Sequence, residues 1–182
     1  MSSRIILTYE DYAALPDDGK RYELHEGELS VTPAPGTRHQ QILVNLTVLL
    51  APHVKTQGLG TLLIAPLDCI MSNITVVQPD LLYVDGSRRN IVSERGVEGG
   101  PTLAVEILSP STTHVDRRRK MTLYAAHGVP WYWIVDPDDR AIEVYRLDHD
   151  SYRLDVWLDG TEPRALPPFP DCLLDPAAIW PS

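Results

Sequence analysis

The chain has 182 residues, 43% of them apolar and 23% charged, with a formal net charge of −9. That length fits one domain spanning residues 1–182, with a normal core, and the acidity argues against a non-specific nucleic-acid coat, which would be basic. It does not argue against a nuclease, because an acidic metal site carries negative charge of its own and a local basic patch can still grip phosphates.

No apolar run nears the roughly 20 residues that span a bilayer. The first residues lack the layout of a signal peptide. Cys69 and Cys172 stand outside any CxxC pair, which fits two reduced, buried thiols. A cytoplasmic protein is expected.

Taken in chain order, Thr8-Tyr9-Glu10-Asp11 has the pattern of a capping box, so a short helix should run to about Leu15 and stop at Pro16. Arg21–Leu24 and Glu28–Val31 read as two strands joined by the tight turn His25-Glu26-Gly27. A helix begins at Thr37, with Ile42, Leu43, Leu46, Leu49 and Leu50 at helical spacing. Pro52 should kink or end it. Strands follow at Thr61–Ala65, Asp68–Met71 and Val76–Val84. Residues 85–100 have no clear period and read as a surface loop.

Leu103–Leu108 is an apolar strand interrupted by one carboxylate, Glu106. A polar turn follows, in which Ser111, Thr112, Thr113 or Asp116 can cap a basic helix. Gly128 should stop that helix. Trp131–Val135, Ile142–Leu147 and Tyr152–Leu158 then read as an antiparallel meander. The proline-rich tail, Leu166–Trp180, should lie along the surface. The fold class expected is α/β or α+β: a mixed sheet with helices on its faces.

A carboxylate inside a buried strand is costly unless it is paired or holds a metal. Asp80, at the start of the apolar run Leu81–Val84, adds a second acid on a neighbouring strand, and Lys120 follows on the adjoining helix. Phosphodiester hydrolysis needs an activated water, a neutralised transition state and a stabilised leaving oxygen. Bound Mg²⁺ or Mn²⁺ serves all three. Such a cation takes oxygen ligands: here the carboxylates of Asp80 and Glu106 and the carbonyl of Ile107. Lys120 can orient the water or offset phosphate charge. Arg117, one helical turn earlier, is a candidate phosphate contact.

Plainer readings compete. Acids after proline often cap turns, which suits Asp80. A run such as Arg117-Arg118-Arg119-Lys120 is by default a solvated helix face. His39 near a helix start fits a structural role or one beside the metal site. Ser109, Ser111 and His114 lack the GxSxG elbow of a serine hydrolase. Trp131 and Trp133 share one strand face and Tyr132 takes the other. At least one of those faces should be core rather than a stacking platform for bases.

Several stretches together resemble the Uma2 family of restriction endonucleases, within the PD-(D/E)xK nuclease superfamily. They are Tyr22-Glu23-Leu24 with Gly27, His39-Gln40, Pro79-Asp80-Leu81, Val105 to Pro110, Asp116 with Lys120 and Tyr124, Gly128-Val129-Pro130, and Tyr132 to Asp136. The resemblance covers nearly the whole chain. It implies a restriction-endonuclease-like core, metal-dependent cleavage of DNA and a metal held by Asp80 and Glu106. It also implies Glu23 as a further acid of the site. The superfamily's usual lysine stands two residues after the second acid, where this chain has Leu108. The family's lysine is Lys120 instead. A homodimer is expected, since two sites related by a twofold axis can each take one strand. The alternatives are a catalytically inactive binding module on the nuclease fold, or a hydrolase of small phosphate esters. Nothing in the residues reads the cleavage sequence.

Overall fold

The computed structural model describes residues 5–109 and 115–181, with the side chains of Val115 and Asp116 left out. In chain order the elements are α1 (Tyr9–Ala13), β1 (Arg21–His25), β2 (Glu28–Thr32), α2 (Thr37–Thr56), β3 (Gly60–Ile64), β4 (Cys69–Ser72), β5 (Thr75–Val77) and β6 (Leu81–Asp85). They continue with β7 (Val92–Ser93), β8 (Gly96–Glu98), β9 (Leu103–Ile107), α3 (Met121–Ala126), β10 (Trp131–Asp136), β11 (Ala141–Asp148), β12 (Ser151–Leu158), β13 (Arg164–Ala165), β14 (Leu173–Leu174) and α4 (Pro176–Ile179). A turn of 3-10 helix spans Gly86–Ile91, and a π-helical turn, Val115–Lys120, leads into α3.

The class is mixed α+β. One sheet runs β2-β1-β5-β4-β8-β7 and the other β12-β11-β10-β9-β6-β3, with β13-β14 as a short ribbon. β9 and β10 are parallel, and the stretch containing α3 crosses between them. β10, β11 and β12 form the expected antiparallel meander.

The second sheet is the middle layer. Alternation along its strands sends Leu81, Tyr83, Leu103, Val105, Ile107 and Trp133 into one core with α2 and the tail. Leu82, Val84, Ala104, Tyr132 and Ile134 enter a second core with α3 and parts of the first sheet. Glu106 follows Ala104 by two residues, so it points into that second layer. Both faces of β10 are core: Tyr132 and Trp133 are fully buried.

Local chemistry explains the ends of the elements. Thr8 caps α1 and Asp11 reaches back to the Thr8 N–H, the reciprocal box expected there. The turn between β1 and β2 has φ of +51° at Glu26 and +79° at Gly27, the twist-matched two-residue hairpin. α2 and α3 both end on a glycine with positive φ, Gly58 and Gly128, whose N–H bonds back to Lys55 and Ala125.

Four expectations need correction. α2 does not stop at Pro52; it continues to Thr56. The carbonyl that Pro52 leaves without a partner belongs to Val48, on the exposed face, where solvent can take it, while buried Val54 anchors the last turn. The run Val76–Val84 is two strands in two different sheets, broken at Gln78-Pro79-Asp80. Pro79 has no N–H for a ladder, which favours the crossing. Residues 85–100 are no simple loop: β7 and β8 form a hairpin, and β8 pairs in parallel with β4. The tail is not superficial, since Leu166, Phe169, Leu174 and Ile179 are buried in the α2 core. The candidate caps Ser111, Thr112 and Thr113, with His114, lie outside the described residues. No described helix is long and apolar enough to cross a membrane.

Candidate functional site

The candidate site forms where the chain leaves the first sheet for the second. β6 and β9 pair with Leu81 opposite Val105. One step further along that register sets Asp80 across from Glu106. Residues opposite one another on antiparallel strands share a face. Glu106 turns towards the layer that holds α3 and β1, while Asp80, just before β6, is held between Arg21 of β1 and His39 of α2.

α3 and its π-helical lead supply the cation. Lys120 Nζ donates to Glu106 Oε1 at 2.9 Å, and the Tyr124 hydroxyl donates to the same oxygen at 2.6 Å. Lys120 and Tyr124 are four residues apart, so they sit on one helical face. Lys120 Nζ is also 3.1 Å from Glu23 Oε1 on β1. Glu23 in turn accepts the Gln78 N–H at 2.7 Å, and its Oε2 lies 3.1 Å from His25 Nε2.

Asp80 is held from three sides. Its Oδ2 accepts the Ile107 N–H at 2.8 Å and lies 3.0 Å from His39 Nε2 on α2. Arg21 Nη1 reaches Oδ1 at 3.4 Å, while Nη2 of the same guanidinium donates to the Gln78 carbonyl. Glu23, Asp80, Glu106 and Lys120 are each 4% exposed or less. Buried ions are tolerated only when paired and hydrogen-bonded in this way.

Burial opposes ionisation of Asp80 and is the largest single influence on it. The His39 contact, the Arg21 charge and the Ile107 N–H outweigh it and hold the carboxyl below its ordinary range. Glu23 follows the same logic. Burial raises its pKa, but the Lys120 charge, His25 and the Gln78 N–H hold it well below the usual carboxylate range. Burial, with the Glu106 charge behind it, pushes the Tyr124 phenol far above its normal value. Tyr124 therefore remains a hydrogen-bond donor throughout the working pH range.

Among the described residues, no three His, Cys, Asp or Glu side chains are grouped to hold a metal. A closed protein cage is thus not what these residues offer. Mg²⁺ is commonly bound by one or two carboxylates, with water and phosphate oxygens completing its shell. Asp80 and Glu106, at opposed positions of neighbouring strands, supply carboxylates of that kind. Three buried carboxylates also lie beside two basic side chains, Lys120 and Arg21. In addition, Arg21 Nε, Gln78 Oε1 and the Nδ1 atoms of His25 and His39 are buried with no hydrogen-bond partner among the described residues. Unsatisfied polar atoms at such density around Asp80 and Glu23 call for water or ligand. The residues fit a hard divalent cation held in an open shell.

The structure therefore brings Asp80, Glu106, Lys120, Glu23 and His39 together. Arg117 does not join them. Its Nη2 donates to Asp136 Oδ2 at 2.9 Å and its Nη1 lies 2.6 Å from Glu143 Oε1, without the linear geometry of a hydrogen bond. The π-helical turn is the reason: residues three apart diverge further there than on an α-helix. Arg21, Gln78 and His25 were not anticipated as site residues. The signal was present for two of them, because Arg21, Glu23 and His25 alternate along β1 and so share one face. Tyr124 was legible only as part of the family pattern.

The family model described as "Putative restriction endonuclease", Uma2, matches residues 9–177. The chain belongs to the Uma2 family. The Uma2 match spans every element that carries a site residue, from β1 to α3. A solved structure, "a putative nuclease belonging to DUF820 from Anabaena variabilis", aligns over 95% of this chain and 97% of its own at a TM-score of 0.77. The identity is 23%, so that likeness speaks for the fold. No curated protein matches the chain.

Proposed function

We propose that this Uma2 protein is a metal-dependent endonuclease that hydrolyses phosphodiester bonds of DNA. The observation that carries the reading is Asp80 across from Glu106 with the Lys120 ammonium on Glu106. Family membership supports it. The reach of Lys120 to Glu106 also counts against a nuclease fold emptied of its chemistry.

Mg²⁺ or Mn²⁺ would be held by Asp80, Glu106 and the Ile107 carbonyl, and when bound it supplies charge neutralisation and an activated water. The chain's own residues do the rest. The Ile107 N–H and His39 fix the rotamer of Asp80. Tyr124 and Lys120 fix that of Glu106. Lys120, an ammonium with donors only, orients the attacking water through the lone pairs of its oxygen. Glu23 and Glu106 both border that ammonium, at 3.1 and 2.9 Å. The water oxygen bonds to phosphorus as the bond to the leaving oxygen breaks. Arg21 lies beside Asp80 to offset the negative charge that builds on the phosphate.

The test is cleavage of supercoiled plasmid in Mn²⁺ by the wild type, Glu106→Ala and Lys120→Ala. Cutting by the wild type alone, with both variants folded, is the expected result. Loss in Glu106→Ala only would remove Lys120 from the mechanism. A wild type that cuts no DNA form and binds no Mn²⁺ in calorimetry would overturn the reading.

A further inference from the structure

Asp80, alone of the three site acids, lines a cleft of about 700 Å³. Asp80, Arg21 and Gln78 lie along one part of its lining, and Pro33, Pro35 and Pro66 along another. Lys20, the residue before Arg21 and paired with Asp18, also borders it, as does Asp17, so the cleft has charged groups together with an apolar lining. Two buried polar atoms of that lining, Arg21 Nε and Gln78 Oε1, have no partner among the described residues. Both atoms are themselves buried, so they lie behind the cleft surface and show only that the lining is polar on this side.

The size of the cleft restricts what can enter. A volume of this order lies within the roughly 300–1,000 Å³ range of sites for small molecules. A whole duplex, whose major groove alone is roughly 12 Å wide, is too broad to lie inside a cleft of that volume. Asp80 is 4% exposed. A phosphate on the ridge of a paired duplex would have to descend into the cleft while its neighbours stayed stacked outside. An unpaired nucleotide meets no such barrier, and extruding a paired one costs a few kcal/mol.

We propose that this cleft receives one unpaired nucleotide of a DNA strand, with its phosphate beside Arg21 and Asp80 and its sugar and base against the proline wall. The substrate is then DNA that is single-stranded or extruded where it is cut. This rests on the nuclease reading for the reaction but not for the binding. Prolines offer apolar contact without an aromatic platform, so the cleft accepts different bases.

The test separates binding from cutting. A short fluorescein-labelled single strand and the same strand in a blunt duplex are titrated against Glu106→Gln in Ca²⁺, and anisotropy is read. The single strand should bind about tenfold tighter, a difference of about 1.4 kcal/mol. Ala34→Trp, added to Glu106→Gln, fills the cleft from an exposed position and should erase that preference. Val48→Trp, on the solvent face of α2, should keep it. Wild-type cleavage of both substrates in Mn²⁺ is measured in parallel. Preference in binding without any cutting supports the cleft and overturns the nuclease reading. Cutting without preference leaves the nuclease reading and overturns the cleft. Equal binding, tighter duplex binding, no binding, or a preference that survives Ala34→Trp each overturns the cleft as well.

Discussion

Two buried glutamates sit in one row across the middle sheet, and only one of them has the surroundings of a reactive group. Ile134 on β10 pairs with Glu106 on one side and Glu143 on the other. Both are 2% exposed. Each has a cation from the same basic stretch: Lys120 for Glu106, Arg117 for Glu143. Each has a tyrosine hydroxyl, from Tyr124 and Tyr145. The ring of Tyr132 stands between those tyrosines, 5.0 Å from one and 6.5 Å from the other. The difference lies in what else is near. Glu106 has Asp80 across the strand pair and Glu23 on the far side of its lysine. Glu143 shares its arginine with Asp136 and pins the start of the helix to the sheet. A lone acid in an apolar strand therefore marks a buried charge pair; a second and a third acid within reach make it a candidate site.

The largest effect should come from removing charge at the two ends of the row. Glu106→Gln should cut plasmid cleavage by about a thousandfold or more, the scale of losing a group that stabilises transition-state charge. It should still fold, because Lys120 keeps Glu23. Glu143→Gln should hold activity within a few-fold while lowering unfolding free energy by about 1–2 kcal/mol. Equal losses of activity would make the row a single functional unit and end the comparison.

The cations sharpen it next. Lys120→Met leaves two buried carboxylates without their ammonium, a cost of about 3–5 kcal/mol, and should also abolish cutting. Lys120→Arg keeps the charge and the fold but should still cut at least about tenfold more slowly, because a planar fork does not replace a compact ammonium. Arg117→Met removes a cation that is a third exposed but leaves Glu143 buried without it, so a loss of about 2 kcal/mol is expected, below that of Lys120→Met. Urea unfolding separates the three. A Lys120→Met protein as stable as Arg117→Met would mean that Lys120 is not buried between the acids.

Much of this was legible in the chain itself. The capping box at Thr8, the hairpin at Glu26-Gly27, β9, α3 and the meander follow from local turn chemistry and periodicity. Glu106 stands out because charge inside an apolar strand is rare, whereas Asp80 and Lys120 gain weight from their place beside it and from the family pattern. What was hidden is non-local. Nothing within Val76–Val84 says that the chain changes sheets at Pro79. The burial of Phe169 depends on α2 and β10, more than thirty residues away in sequence. Glu143 carries the same local signal as Glu106, an acid inside an apolar strand. Their difference is supplied by β1 and β6, which no window around either residue contains.

Acid should act on the Glu106 end through its neighbours. Asp80 and Glu23 have folded pKa values held below those of the unfolded chain, about 3.9 and 4.3. A depressed folded pKa contributes stability that is complete above the unfolded value and is lost as pH falls through the folded one. The urea midpoint should be flat above about pH 5 and fall steeply below about pH 4. Glu23→Gln should flatten that fall, since one of the two carboxylates no longer takes up a proton. A slope unchanged in Glu23→Gln would assign the acid sensitivity elsewhere.

The smallest effect expected is at the tyrosines, and it is the most discriminating. Tyr124→Phe removes a 2.6 Å hydrogen bond to a buried carboxylate and leaves Glu106 Oε1 to Lys120. The cost in stability should be about 1–2 kcal/mol. Its consequence for function is positional: a carboxylate free to rotate holds a cation less well, so the Mn²⁺ concentration for half-maximal cutting should rise by about threefold to tenfold, the equivalent of 0.7–1.4 kcal/mol. Tyr145→Phe removes the matching bond at Glu143, on a half-buried ring. It should cost a similar or smaller amount of stability and leave the Mn²⁺ dependence where it was. The two variants make the same chemical deletion, one on each side of Ile134. A Mn²⁺ shift in Tyr124→Phe alone would therefore locate the cation at Glu106 without any change to the acids themselves, and a shift in both would mean that the ring of Tyr132 couples the two ends.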